Sequence, residues 1–236
     1  MATFVLIQGA SSDSWYWHRL IPELRALGHD TIALDLPCDD DSAGFSDYAD
    51  VVVEAIGKQT DLIVVAHSLG GFTGPLVCDR VSVDLLVMIS AMVPTPGESA
   101  GDWWFNTGHA QARVEEAERA GWSLGEDFDV WEMFFHDVPP DVVEEAMARG
   151  ARRQSGAVFE APWPLSAWPD VPTKFLLCQD DRFFPAGFMR RLVKQRLGIT
   201  PDEMSGGHTS ALSRPKELAD RLEAYRTGQT YKRPHE

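Results

Sequence analysis

Residues 61–71 read DLIVVAHSLGG, an apolar run that passes through His67 into Ser68 and meets Gly70 and Gly71 directly behind it. A short apolar run bounded by a polar start and by glycines is a buried strand, and the glycines open a helix. The joint between the two carries a serine. A tight strand-to-helix turn accepts serine simply because it is small. A hydroxyl projected from the end of a buried strand on a sharp turn is also what a nucleophile requires. The rest of the chain decides between these readings.

Outward from this segment, short apolar runs alternate with helical patterns. TFVLIQ (3–8), DTIALDL (30–36), DLIVVAH (61–67), VDLLVMIS (83–90), TKFLLCQDD (173–181) and a short run near 200–204 read as strands. WYWHRLIPELRALG (15–28), DYADVVVEAIGK (47–58), LGGFTGPLVCDR (69–80) and segments near 186–196 and 215–226 read as helices. Strands that are apolar throughout and separated by helices form a parallel sheet covered on both faces, with right-handed crossovers. The expected fold class is α/β, with a mostly parallel sheet of about six strands. The alternation breaks between Pro94 and about Pro172, where helical, aromatic-rich stretches and APWPLSAWPDVP (161–172) replace it. The expected division is a core of 1–93 and 172–236 interrupted by a helical cap, or lid, at 94–171. GQTYKRPHE (228–236) reads as a loosely held tail.

The chemistry rests on three residues in chain order. A serine hydroxyl is a poor nucleophile until a base takes its proton, and a histidine base needs a partner that fixes its tautomer. In sheets of this kind the order is serine, acid, histidine. Ala66-His67-Ser68-Leu69-Gly70 matches the G-x-S-x-G turn with alanine in first place, the smallest change available there. Asp180 and Asp181 follow the fifth strand, at the end where sites gather in open α/β sheets. Asp181, in Asp-Arg-x-x-Pro, is the expected acid, and Asp180 the solvated neighbour. His208 follows two glycines and precedes the closing helix, so it is the expected base. The backbone N–H groups of Leu69 and of Ala10, just after Gly9, are the expected oxyanion donors.

Composition narrows the function. The chain has 236 residues, 44% of them hydrophobic, and a formal net charge of −15. That charge disfavours nucleic acid and anionic membranes, and by itself sets solubility rather than substrate. No apolar run approaches the ~20 residues of a membrane span, and MATFVLIQGA has no basic leader, so neither a membrane nor a signal peptide is expected. Cys38, Cys78 and Cys178 are widely spaced and odd in number, which fits reduced thiols in a cytoplasmic protein rather than disulfides or a zinc site.

Together FVLIQGASSDSWYWHRLIPELRALGHDTIALDLP, HSLGG, CQDDRFFP and GGHTSALSRPKEL resemble the α/β-hydrolase superfamily, most closely its small plant methylesterase and hydroxynitrile lyase members. The resemblance implies a six-stranded sheet, a helical cap, a Ser68–Asp181–His208 triad and no cofactor. Two departures stand out. The family usually has His-Gly where this chain has Gln8-Gly9. That histidine is generally structural, and glutamine keeps a donor and an acceptor, so a modest change is expected. The cyanohydrin-cleaving members carry a threonine in the oxyanion loop and a lysine after the catalytic histidine, where this chain has Gly9 and Thr209. Both differences favour ester hydrolysis.

The cap region holds six of the eight tryptophans (Trp103, Trp104, Trp122, Trp131, Trp163 and Trp168) with Phe105, Phe128, Phe134 and Phe135. Most of these rings pack the cap itself. Trp104, Trp131 and Phe135, with Ser11 from the oxyanion loop, are the expected substrate contacts, Asp13 is a further neighbour, and Met92 is a candidate for the pocket floor. His136 and Asp137 read as a loop or capping feature. The expected activity is a serine carboxylesterase acting on a small, largely apolar ester, with a homodimer left open. A cofactor-free lyase and a non-catalytic ligand-binding homologue are the alternatives. Haloalkane chemistry is disfavoured because it needs a carboxylate at position 68.

Overall fold

The computed structural model describes residues 1–122 and 129–229; Phe128 and positions 230–236 of the tail lie outside the described residues. Six strands, β1 (Thr3–Ile7), β2 (Asp30–Ala33), β3 (Leu62–His67), β4 (Leu85–Ile89), β5 (Thr173–Cys178) and β6 (Asp202–Met204), form one parallel sheet in the order β2-β1-β3-β4-β5-β6. The period-2 alternation of a strand divides each apolar run between two cores. Val5, Ile7, Val64, Ala66, Met88 and Leu177 face one core, and Phe4, Leu6, Ile63, Val65, Ile89 and Leu176 face the other. Helices α1 (Leu20–Ala26), α9 (Ser210–Ser213) and α10 (Pro215–Thr227) cover the second face. Helices α2 (Phe45–Ile56), α3 (Gly70–Arg80) and α8 (Ala186–Leu197) cover the first. Along α2 the buried positions are Phe45, Tyr48, Ala49, Val52 and Ile56, the stripe of a helix with one face on a sheet.

The differences from expectation lie at element ends. The single helix expected at 15–28 is a 3₁₀ turn, Ser14–Trp17, followed by α1. Pro22 has no N–H to donate and is accommodated in the first turn of a fresh helix, not in the interior of a long one. Strand β2 stops at Ala33, and the Leu34 carbonyl beyond it accepts from the Gln8 side-chain amide at 2.9 Å. Strand β5 stops at Cys178, and Gln179–Asp181 turn toward the site.

Between β4 and β5 run α4 (Ala100–Thr107), α5 (His109–Ala120), a π-helical turn (Trp131–Phe135), α6 (Pro140–Arg149) and α7 (Ala157–Glu160). The two ends of this insertion are tied together. Trp163 N donates to the Glu98 carbonyl at 2.9 Å and Gly97 N to the Trp163 carbonyl at 3.2 Å. Glu98, buried, receives the Arg196 guanidinium of α8 and the Asn106 amide, and Thr95 N donates to it as well. Trp103 and Trp163 join the same core as the sheet, their indole N–H groups donating to the carbonyls of Val93 and Phe72. Trp122 lies under the Arg182 guanidinium, and Phe105 is 89% exposed. Among the described residues no helix is long and apolar enough to cross a membrane.

Backbone crowding is greatest behind β3. A β-carbon on Gly71 would stand 1.9 Å from the Met92 carbonyl oxygen, a main-chain atom with nowhere to go. Gly187, in α8, has open space around it. Gly71→Ala is therefore expected to lose about 3 kcal/mol or more of unfolding free energy. Gly187→Ala should hold stability or gain up to about 1 kcal/mol, both read by urea denaturation. Equal effects at the two positions would contradict the close approach.

Candidate active site

Four strand ends converge at the carboxyl edge of the sheet. Ser68 follows β3 with φ +53°, a left-handed conformation that non-glycine residues seldom adopt and that lifts the side chain out of the strand line. The turn is held by hydrogen bonds from Met92 N (2.9 Å) and Gly71 N (3.1 Å) to the Ser68 carbonyl. The loop after β1 crosses directly over it: a β-carbon on Gly9 would sit 2.8 Å from Ser68 Cβ, so only glycine fits there. Asp181 follows β5, and His208 lies in the turn after β6. The structure brings these three residues, read from separate segments of the sequence, into one line.

Ser68 Oγ lies 3.0 Å from His208 Nε2, and His208 Nδ1 lies 2.8 Å from Asp181 Oδ2. All three side chains are buried. A carboxylate only accepts, so Nδ1 carries the ring proton and Nε2 offers its lone pair to the serine hydroxyl. Asp181 is fixed through its other oxygen, which accepts from Phe183 N (2.9 Å) and Phe184 N (2.8 Å). Asp180 is exposed, yet its carboxylate accepts from Gly206 N at 2.8 Å. Asp137 accepts from Gly207 N at 2.8 Å, and His136 Nε2 lies 3.1 Å from the Asp180 carbonyl. The His136–Asp137 pair thus braces the two-glycine turn that presents His208.

Two further histidines support the site. His67 Nε2–H donates to the His208 carbonyl at 2.9 Å, and its ring stacks on Tyr16 at 4.7 Å. Complete burial, with His208 nearby, pushes its pKa well below the ordinary imidazole value, so the ring is neutral. His109, the first residue of α5, sits among Trp103, Trp104, Phe183, Phe184 and Phe188, and its Nε2–H donates to the Phe183 carbonyl at 2.7 Å. Burial lowers its pKa from the ordinary 6.5 to about 4. It fastens the insertion to the loop that carries Asp181.

A cavity of about 450 Å³ opens above Ser68. Ala10 and Leu69 line it, and among the described residues neither backbone amide is bonded to another backbone carbonyl. Of the expected substrate contacts, Ser11, Trp104 and Phe135 line the cavity. Trp131 does not: it lies on the outer side of the π-helical turn and is 42% exposed, while Phe134 and Phe135 of the same turn face inward. Met92 is in the lining, as is Asp13, whose carboxylate is engaged by Arg149 (2.9 Å) and Trp15 N (3.1 Å). Sequence reading alone missed Met147, Phe159 and Phe183. Phe183 had a local signal, since it sits two residues after Asp181; the other two had none. The three cysteines are unpaired, and among the described residues no cluster of His, Cys, Asp and Glu is arranged to hold a metal.

A buried hydroxyl–imidazole–carboxylate line at the carboxyl edge of a parallel sheet, beneath a helical insertion, is the arrangement of an α/β hydrolase. The family comparison agrees: residues 4–221 match the model of the alpha/beta hydrolase family, and the chain belongs to it. Among curated relatives, a probable esterase (PIR7A) of Oryza sativa is 24% identical over 93% of this chain and 94% of its own length. Polyneuridine aldehyde esterase of Rauvolfia serpentina is 23% identical over 91% and 92%. Among solved structures, a pyrethroid hydrolase from Sphingobium faniae JZ-2 superposes with a TM-score of 0.74 at 19% identity, covering 96% of this chain and 97% of that one. At that identity the superposition speaks for the fold.

The neutral buried histidines have a consequence for stability. Unfolding exposes His109, whose pKa then returns upward, so the unfolded chain takes up the proton first as pH falls. Stability present above pH 6.5 is lost as pH falls toward 4. The His109 share of that loss is on the order of 3 kcal/mol. His109→Gln keeps a donor for the Phe183 carbonyl and removes the titration. Its unfolding free energy should fall less steeply than that of the wild type across this window. Parallel profiles in urea unfolding would contradict the assignment.

Proposed function

We propose that this protein is a serine esterase that cleaves small, largely apolar carboxylic esters through an acyl-enzyme. The observation that carries the reading is the unbroken Ser68–His208–Asp181 line, at 3.0 and 2.8 Å, with Ser68 and His208 in the cavity lining. His208 Nε2 takes the hydroxyl proton as Ser68 Oγ attacks the ester carbonyl carbon. Asp181 holds the ring and stabilises the imidazolium that forms. Charge builds on the carbonyl oxygen, and the amides of Ala10 and Leu69 receive it. The alcohol leaves with the proton from Nε2. Water, deprotonated by the same nitrogen, then attacks the acyl carbon and frees Ser68.

Segment 94–171 acts as the cap. Its Trp104, Phe134, Phe135 and Phe159, with Met92 and Phe183 of the core, give the cavity an apolar wall suited to an acyl chain or a ring. Its volume lies at the small end of the range for ligand pockets, which supports a compact substrate. The esterase names of the two plant relatives point the same way. Against lyase chemistry stands the position after His208. Thr209 carries no ammonium there, and its hydroxyl is committed to the Phe134 carbonyl.

A series of p-nitrophenyl esters of increasing acyl length tests the proposal. Short and medium acyl chains should be turned over and palmitoyl scarcely at all. Ser68→Ala should remove at least about 10⁴-fold of kcat, and Asp181→Asn a comparable factor. A folded wild type as inert as Ser68→Ala, or one that cleaves cyanohydrins and spares esters, overturns it.

A further inference from the structure

The oxyanion loop is stitched to a segment more than a hundred residues away, and we infer that Gln154 is the positioning residue that aims the Ala10 amide. This inference rests on the esterase reading above. Ser11, the residue after Ala10, has φ +55°, a left-handed conformation that is strained for a non-glycine residue. Two hydrogen bonds hold it there, both from the stretch that leaves α6. Arg152 N donates to the Ser11 carbonyl at 3.0 Å, and Ser11 N donates to Gln154 Oε1 at 3.2 Å.

The Gln154 carboxamide is itself fixed. Its Nε2 donates to the Tyr48 hydroxyl of α2 at 3.2 Å, which leaves Oε1 turned toward Ser11. The stretch around it is anchored on the loop after β2. Ser155 N donates to the Cys38 carbonyl at 2.6 Å, and Arg152 Nη1 donates to the Leu36 carbonyl at 3.1 Å while Nη2 reaches Asp39 at 3.0 Å.

Ala10 therefore stands between two immobilised peptide planes. On one side Gly9 is packed against Ser68, closer than any side chain permits. On the other, the Ala10–Ser11 peptide is pinned through the Ser11 N–H. With both planes fixed, the Ala10 amide has little rotational freedom and is preorganised for the charge that develops on the substrate carbonyl. No substrate contact is assigned to Gln154. It acts through Ser11, and it makes the cap's exit segment part of the oxyanion device.

The test compares Gln154→Met, which removes the acceptor, with Gln154→Glu, which retains it, and with Tyr48→Phe, which frees the carboxamide to turn. Each is assayed for ester turnover and for affinity toward two probes. Hexyl trifluoromethyl ketone adds the Ser68 oxygen to its carbonyl carbon, passes the serine proton to His208 and leaves an oxyanion. Hexyl methyl ketone fills the same pocket and stays trigonal. Gln154→Met should lose about 10-fold in kcat and in trifluoromethyl ketone affinity, a fraction of the cost of deleting an oxyanion donor. KM and methyl ketone affinity should hold within about twofold, as expected of a group felt mainly in the transition state. Gln154→Glu should recover most of the loss, and Tyr48→Phe should fall about threefold. If Gln154→Met fails to fold, Tyr48→Phe and Gln154→Glu decide by the same readouts. Wild-type kcat and fluoroketone affinity in Gln154→Met, or an equal loss for both ketones, overturns the role of Gln154. A wild type that neither turns over esters nor binds the fluoroketone overturns the esterase reading, and the role of Gln154 with it.

Discussion

The close approach of main chain to main chain at the end of β3 is the constraint on which the rest depends. Ser68 can take its left-handed conformation because Gly9, Gly70 and Gly71 leave the surrounding backbone room to close in. A β-carbon at Gly70 would stand 2.8 Å from the carbonyl oxygens of Ile7 and Gln8, and one at Gly71 would overlap the loop after β4. The loop after β1 is thereby packed against Ser68, and the turn after β6 places His208 Nε2 3.0 Å from its hydroxyl. The strain at Ser68 is held by the packing around it rather than relieved, as is usual where backbone conformation serves a site.

Around that turn, polarity is handled by pairing within an apolar setting. Asp181 uses both oxygens, one for His208 and one for two loop amides. His67 and His109 are kept neutral and spend their ring N–H on the carbonyls of His208 and Phe183. The insertion is bound into this network at several points. His109 fastens it to the loop that carries Asp181, Thr209 donates to the Phe134 carbonyl of its π-helical turn, and Gln154 and Arg152 tie it to Ser11 in the loop after β1. It shares the core of the sheet through Trp103 and Trp163.

Much of this was legible in the sequence because it is periodic or local. Buried parallel strands are apolar end to end, so β1, β3, β4 and β5 announced themselves, and the Ala-His-Ser-Leu-Gly turn, the Asp-Arg-x-x-Pro loop and the two-glycine turn, taken in chain order, pointed to Ser68, Asp181 and His208. The illegible parts depend on long-range placement. Which face of the 131–135 turn looks inward is set by a π-helical geometry that no heptad pattern signals, and so Trp131 was expected at the substrate and Phe134 was not singled out. Gln154 and Ser11 lie 143 positions apart, and nothing in either segment marks their bond. The break between Trp17 and Leu20 has a local sign in Pro22, which fits the first turn of a new helix, but the apolar stripe of 15–28 runs across it.

The most direct measurement of the central claim is covalent capture with a fluorophosphonate, followed by intact-mass and peptide mapping. The account predicts a single adduct on the peptide that contains Ser68, its formation slowed by orders of magnitude in His208→Ala. A folded protein that takes up no label, or that is labelled elsewhere with Ser68 unmodified, would contradict it.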